Sequence, residues 1–69
     1  LQIKRADSEN LDMMEKENVE VKEIDDHNLH INEHIAYMLS GNFFKEADKE
    51  TEEIFLKHIR EHKKLIKEG

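Results

Sequence analysis

The sequence predicts an all-α fold: an N-terminal helix over residues 1–17, an extended linker over 18–25 and an antiparallel helical hairpin over 26–69. Three observations predict it. Apolar residues recur at helical spacing on both sides of a short alternating stretch, residues that start and stop helices stand in matched order, and no proline occurs to break a segment.

The first helix is carried by Ile3, Ala6, Asn10, Leu11, Met13 and Met14, the last five of which fall within about 80° of Ile3 when each residue is turned by about 100°. Val19, Val21 and Ile24 then alternate with Glu20, Lys22 and Glu23, a spacing that suits extended chain lying on a surface. Asp25 and Asp26 follow, and either carboxylate can accept from the free N–H groups of a helix's first turn. With Asp25 as the cap, Ile24 and Leu29 would form a hydrophobic staple across it. That helix should end near Ser40, since Gly41 suits the left-handed position that closes helices. Asn42, Phe43 and Phe44 are expected to form a loop whose rings fold back on the hairpin. Asp48 is the second cap, and the last helix runs to about Lys67. Its acidic start (Glu50, Glu52, Glu53) and basic end (Lys63, Lys64, Lys67) complement the helix dipole.

Composition narrows the function. With 17 acidic against 11 basic residues, a net charge of −6 opposes direct contact with a phosphate backbone, so no nucleic-acid binding is expected of this stretch. No apolar run is long enough to cross a bilayer. Without cysteine, a metal would need nitrogen or oxygen ligands. A chain of 69 residues buries little surface and leans on partners, so self-association or packing on the remainder of a larger parent chain is expected. Phe43, Phe44, Ile54, Phe55, Ile59 and Ile66 offer more apolar surface than two helices cover.

The pentad His-Ile-x-Glu-His occurs twice, as HINEH at 30–34 and HIREH at 58–62, and holds four of the five histidines. On helical wheels His27 and His34 lie in the apolar stripe of their helix with His30 at its edge, while His58 and His62 lie mid-stripe in theirs. The loop sets an antiparallel register in which paired positions sum to about 90 to 92, placing His34 level with His58 and His30 with His62.

Three chemistries fit this pattern unequally. Neutral imidazoles can pack at a semi-buried seam, bonding to each other and to Asp25, Asp26 or Tyr37, with pKa values depressed by burial and by one another. Alternatively His30, His34, His58 and His62, paired at i and i+4 on facing helices, can supply a tetrahedral zinc ion. An inverted zinc-peptidase pattern is matched by His30, Glu33 and His34 and by His58, Glu61 and His62, but Glu33 and Glu61 point away from the stripe and so small a chain builds no cleft. The di-iron bundle pattern fails, because no acidic residue stands three before any histidine.

RADSEN at 5–10, MMEKENVEV at 13–21 and DDHNLHINEH at 25–34, followed by HIREH, make the chain resemble the C-terminal segment of portal-type head proteins of tailed bacteriophages of Gram-positive hosts. The resemblance implies a non-enzymatic virion component, part of a ring at one capsid vertex through which DNA is packaged and ejected. It would be found in the virion, or in the bacterial cytoplasm when expressed from a prophage. It also implies that Asp26, His27, His30, His34, His58 and His62 form a structural constellation without a catalytic role and without a required cofactor, zinc being the alternative.

Overall fold

In a computed structural model describing residues 1–68, the chain forms four helices and, among the described residues, no strand. These are α1 (Gln2–Met14), α2 (His27–Leu39), a single-turn α3 (Phe43–Glu46) and α4 (Lys49–Glu68). Twenty residues of α4 span about 30 Å, most of the molecule's 35 Å long axis, while α2 packs against each of the other three helices.

The first helix is not a separate arm. Gln2 lies against His30 and Asn10 against His34, so α1 runs parallel to α2, whereas Lys16 meets Asp48 and Glu9 meets His58, so α1 runs antiparallel to α4. The linker therefore returns along the bundle before α2 begins, and Val19 packs on the core as it passes. Met13 from α1, Ile31 and Met38 from α2, Phe43 from α3, and Phe55 and Ile59 from α4 make one apolar cluster. At its centre Phe55 is fully buried, stacked on Tyr37 at 5.8 Å and edge-on to Phe43 at 4.9 Å, geometries that add to plain area burial.

Several boundaries differ from the sequence expectation, each for a local reason. Helix α1 ends at Met14 rather than Glu17, because Lys16 adopts φ 64° and the N–H groups of Lys16 and Glu17 turn back to the carbonyls of Met13 and Asp12. This is a Schellman closure with lysine where glycine is usual. The strain of a left-handed lysine, roughly 1–2 kcal/mol, is partly offset by its ammonium, 2.8 Å from Asp48. Asp26, not Asp25, caps α2, its Oδ1 accepting from Leu29 N–H at 3.1 Å. The Ile24–Leu29 staple does not form, and Ile24 is 79% exposed. Asp25 is instead drawn inward, where Oδ2 accepts from Lys22 N–H at 3.0 Å and Oδ1 meets Arg5 Nη2 at 2.6 Å, a charge contact rather than an aligned hydrogen bond. After Ser40, Gly41 takes φ 53° as expected. The Asn42 carbonyl then accepts from Lys45 and Glu46, making a helical turn where a loop was expected, which buries Phe43 but leaves Phe44 exposed. Asp48 caps α4, with Oδ1 2.9 Å from Thr51 N–H.

The cap at α2 gives a first test. Asp26→Ala removes the acceptor for Leu29 N–H and should lower stability by about 1 kcal/mol, read as a lower urea midpoint with an unchanged slope. Asp26→Asn should recover most of the loss.

Candidate functional site

The face that α1 turns inward is not the one centred on Ile3. Ala6, Glu9, Asn10 and Met13 are buried, spaced at i, i+3, i+4 and i+7, while Ile3 and Leu11 are exposed. Only Ala6 and Met13 are apolar, so this helix enters the core through a carboxylate and an amide. Glu9 meets histidines of α2 and α4, and Asn10 meets His34 of α2.

Glu9 stands at the hub. Its Oε1 lies 3.2 Å from His30 Nδ1, 3.4 Å from His34 Nε2 and 3.3 Å from His58 Nε2. His62 Nε2 adjoins His58 Nε2 at 3.2 Å. His30, His34 and His62 are wholly buried and His58 nearly so. Across the α2–α4 seam the ring centroids of His34 and His58 are 4.7 Å apart and those of His30 and His62 5.0 Å, the pairing that the register arithmetic predicts.

Each of the four rings uses its second nitrogen to hold an outer partner. His34 Nδ1 lies 2.7 Å from Asn10 Oδ1, His58 Nδ1 2.8 Å from the Val19 carbonyl, His30 Nε2 2.8 Å from Gln2 Oε1, and His62 Nδ1 2.8 Å from His27 Nδ1. The backbone carbonyl of Val19 can only accept, so His58 Nδ1 carries a proton and, in the neutral ring, Nε2 turns a lone pair toward the centre. With Asn10 presenting its carbonyl oxygen, His34 is set the same way, and its Nε2 is left buried without a hydrogen-bond partner. The result is a ring of inward-facing nitrogens around one carboxylate, oriented from outside by separate elements of the fold.

The electrostatics follow. Burial alone would raise the Glu9 pKa, yet the close approach of the His34 and His58 rings, with the positive charge that His58 and His30 bring where protonated, holds it far below the usual carboxylate range. The Glu9 carboxylate is therefore ionised throughout the neutral range, and Arg5 Nε adds a cation 3.6 Å from its Oε2. His34 is pushed down by burial, opposed by Glu9 and reinforced by His58 and His30. His62 is pushed down to about 4, by burial first and then by repulsion from the other four histidines. Both rings are neutral at pH 7, as donors to a cation must be.

All six residues singled out from the sequence belong to this region, in different roles. His30, His34, His58 and His62 converge, His27 is half-buried and holds His62 from outside, and Asp26 serves the helix end alone. Tyr37 stacks in the aromatic cluster and takes no part in the histidine centre, and neither Glu33 nor Glu61 supplies a carboxylate to it. The cluster is not made of the four histidines alone: Glu9, His30, His34 and His62 bring donor atoms within 4.8 Å of one another, with His58 against Glu9 beside them. Glu9 was legible only as part of the Ala6, Glu9, Asn10, Met13 spacing, a stripe that a search for apolar periodicity passes over. Compared with known proteins, the chain matches no family model, no curated protein and no solved structure.

Proposed function

We propose that this chain is a non-enzymatic structural module of a portal-type phage head protein, acting by helix packing and assembly in the virion. One observation carries the proposal beyond the resemblance: the histidines of DDHNLHINEH and HIREH are turned into the interior, where they tie α2 and α4 to α1 through Glu9 and Asn10. A pattern of this kind specifies how a small unit holds its shape. The module's outer face supplies the means of assembly. Leu39 and Phe44 flank the α2–α3 turn at 75% and 58% exposure, with Ile24 and Ile66 exposed elsewhere, an apolar surplus suited to packing against copies of itself or the parent chain.

The surplus differs from the one expected of the hairpin alone. Phe43, Phe55 and Ile59 are covered within the chain, by the aromatic turn and by Met13, so the burden of association falls on Leu39 and Phe44. Sedimentation equilibrium over a wide concentration range tests this. Reversible oligomers are expected, reduced to monomer by Leu39→Asp with Phe44→Asp. A wild-type chain that stays monomeric at millimolar concentration would count against the assembly role.

A further inference from the structure

We propose that Glu9 and the inward nitrogens of His30, His34, His58 and His62 form a binding site for a divalent first-row transition-metal ion of the zinc class. The inference rests on the cluster's geometry alone, so it stands or falls separately from the phage-head reading.

Three observations support it. The first is spacing. Tetrahedral ligands about 2.0–2.1 Å from zinc lie about 3.3–3.4 Å from each other, and the Glu9 oxygen stands 3.2, 3.4 and 3.3 Å from the inner nitrogens of His30, His34 and His58. His62 continues the series at 3.2 Å from His58. The Glu9 contacts are at ligand separations already, while the donor atoms of Glu9, His30, His34 and His62 lie within 4.8 Å of one another and would close further on an ion. The second is an unpartnered donor atom. With its Nδ1 held by Asn10, His34 leaves Nε2 buried without a hydrogen-bond partner, 3.4 Å from Glu9 Oε1 in a dry interior. A cation at the centre would give that nitrogen a bond. The third is the outer shell. Ligating histidines characteristically give their second N–H to a carbonyl or similar acceptor, which fixes ring orientation and tautomer. Val19, Asn10, Gln2 and His27 stand in that position for the four rings.

The donor set also selects the ion. Imidazole nitrogens with one carboxylate oxygen and no thiolate suit zinc, cobalt(II), iron(II) or nickel(II) far better than magnesium or calcium, which take oxygen-dominated shells. One carboxylate leaves the loaded centre at a net single positive charge, stabilised by the protein's overall −6. Residues from α1, α2 and α4 all contribute, so the ion would clamp the three long helices at one point, which suits a chain whose core is small.

The test uses the untagged 69-residue chain, stripped with chelator and titrated with zinc or cobalt(II) alone. One equivalent should bind, cobalt(II) should show the intense visible d–d bands of a four- or five-coordinate site, and excess zinc should raise Tm by on the order of 10 °C. Glu9→Gln should weaken binding by more than about 100-fold, beyond the range for losing an outer-sphere partner. His27→Ala, which removes only an outer partner, should weaken it by about 10- to 100-fold. An unchanged Tm with zinc and a pale, octahedral cobalt spectrum for the wild-type chain would overturn the proposal. Wild-type affinity retained in folded Glu9→Gln would overturn the assignment of the carboxylate.

Discussion

Replacing Glu9 with alanine is expected to remove most of the chain's stability at 25 °C, the largest single-residue effect in the molecule. Glu9 is 6% exposed, and its Oε1 is the shared neighbour of His30, His34 and His58, three rings on two different helices. Truncation leaves those inner nitrogens in a polar void and strands Arg5 with only Asp25 for a partner. Breaking a buried, charged hydrogen-bonded group by removing one member costs about 3–5 kcal/mol, and a small domain has total stability on the order of 5 kcal/mol. Glu9→Gln separates charge from connectivity. Its amide can still bond two of the rings, so it should recover a substantial part of the loss in metal-free buffer. Far-UV circular dichroism through a urea titration makes the comparison. Glu9→Ala at wild-type stability would mean that the histidines hold together without it.

Acid should act on the same centre from the other side. In chelator-containing buffer, Tm is expected to be level above about pH 6.5 and to fall steeply between about pH 6.5 and 4. The sign follows from which state takes up protons. His62 titrates near 6.5 when unfolded and near 4 when folded, and His34 is displaced in the same direction, so between those values the unfolded chain binds more protons. Stability is therefore fully present above the unfolded value and is lost as pH drops toward the folded one. At about 1.36 kcal/mol per pH unit, His62 alone accounts for at most about 3 kcal/mol. Glu9, also displaced downward, adds a loss of the same sign that begins near its unfolded value of 4.5. Neutral substitution of the ring, His62→Gln, should flatten the dependence between pH 6.5 and 4 while leaving the more acidic limb. The surface pair of Lys16 with Asp48 contributes little to either limb, being open to solvent and screened. A Tm that rises on acidification would show that the rings are held as imidazolium against Glu9, reversing the electrostatic reading of the site.

The helices were legible in the sequence because local chemistry dictates them. Asp48 accepts from the first turn of α4, Gly41 takes the left-handed turn after α2, and the two pentads fall on facing stripes at the register their short connection imposes. These features depend on residues a few positions apart, and helical periodicity reports them directly. Local chemistry also concealed one boundary, since the turn closing α1 places lysine where glycine would have announced it. Tertiary structure alone decided which face of α1 is buried. Ile3 and Leu11 have the larger apolar side chains, yet the helix turns Glu9 and Asn10 inward, because two helices presenting four buried imidazoles need polar partners more than they need two further aliphatic contacts. That preference is a property of the assembled interior, where an unpaired polar group costs more than an exposed isoleucine. It is invisible in a sequence read one helix at a time, and it is why the hub of the centre lies more than twenty residues before the first histidine it serves on α2.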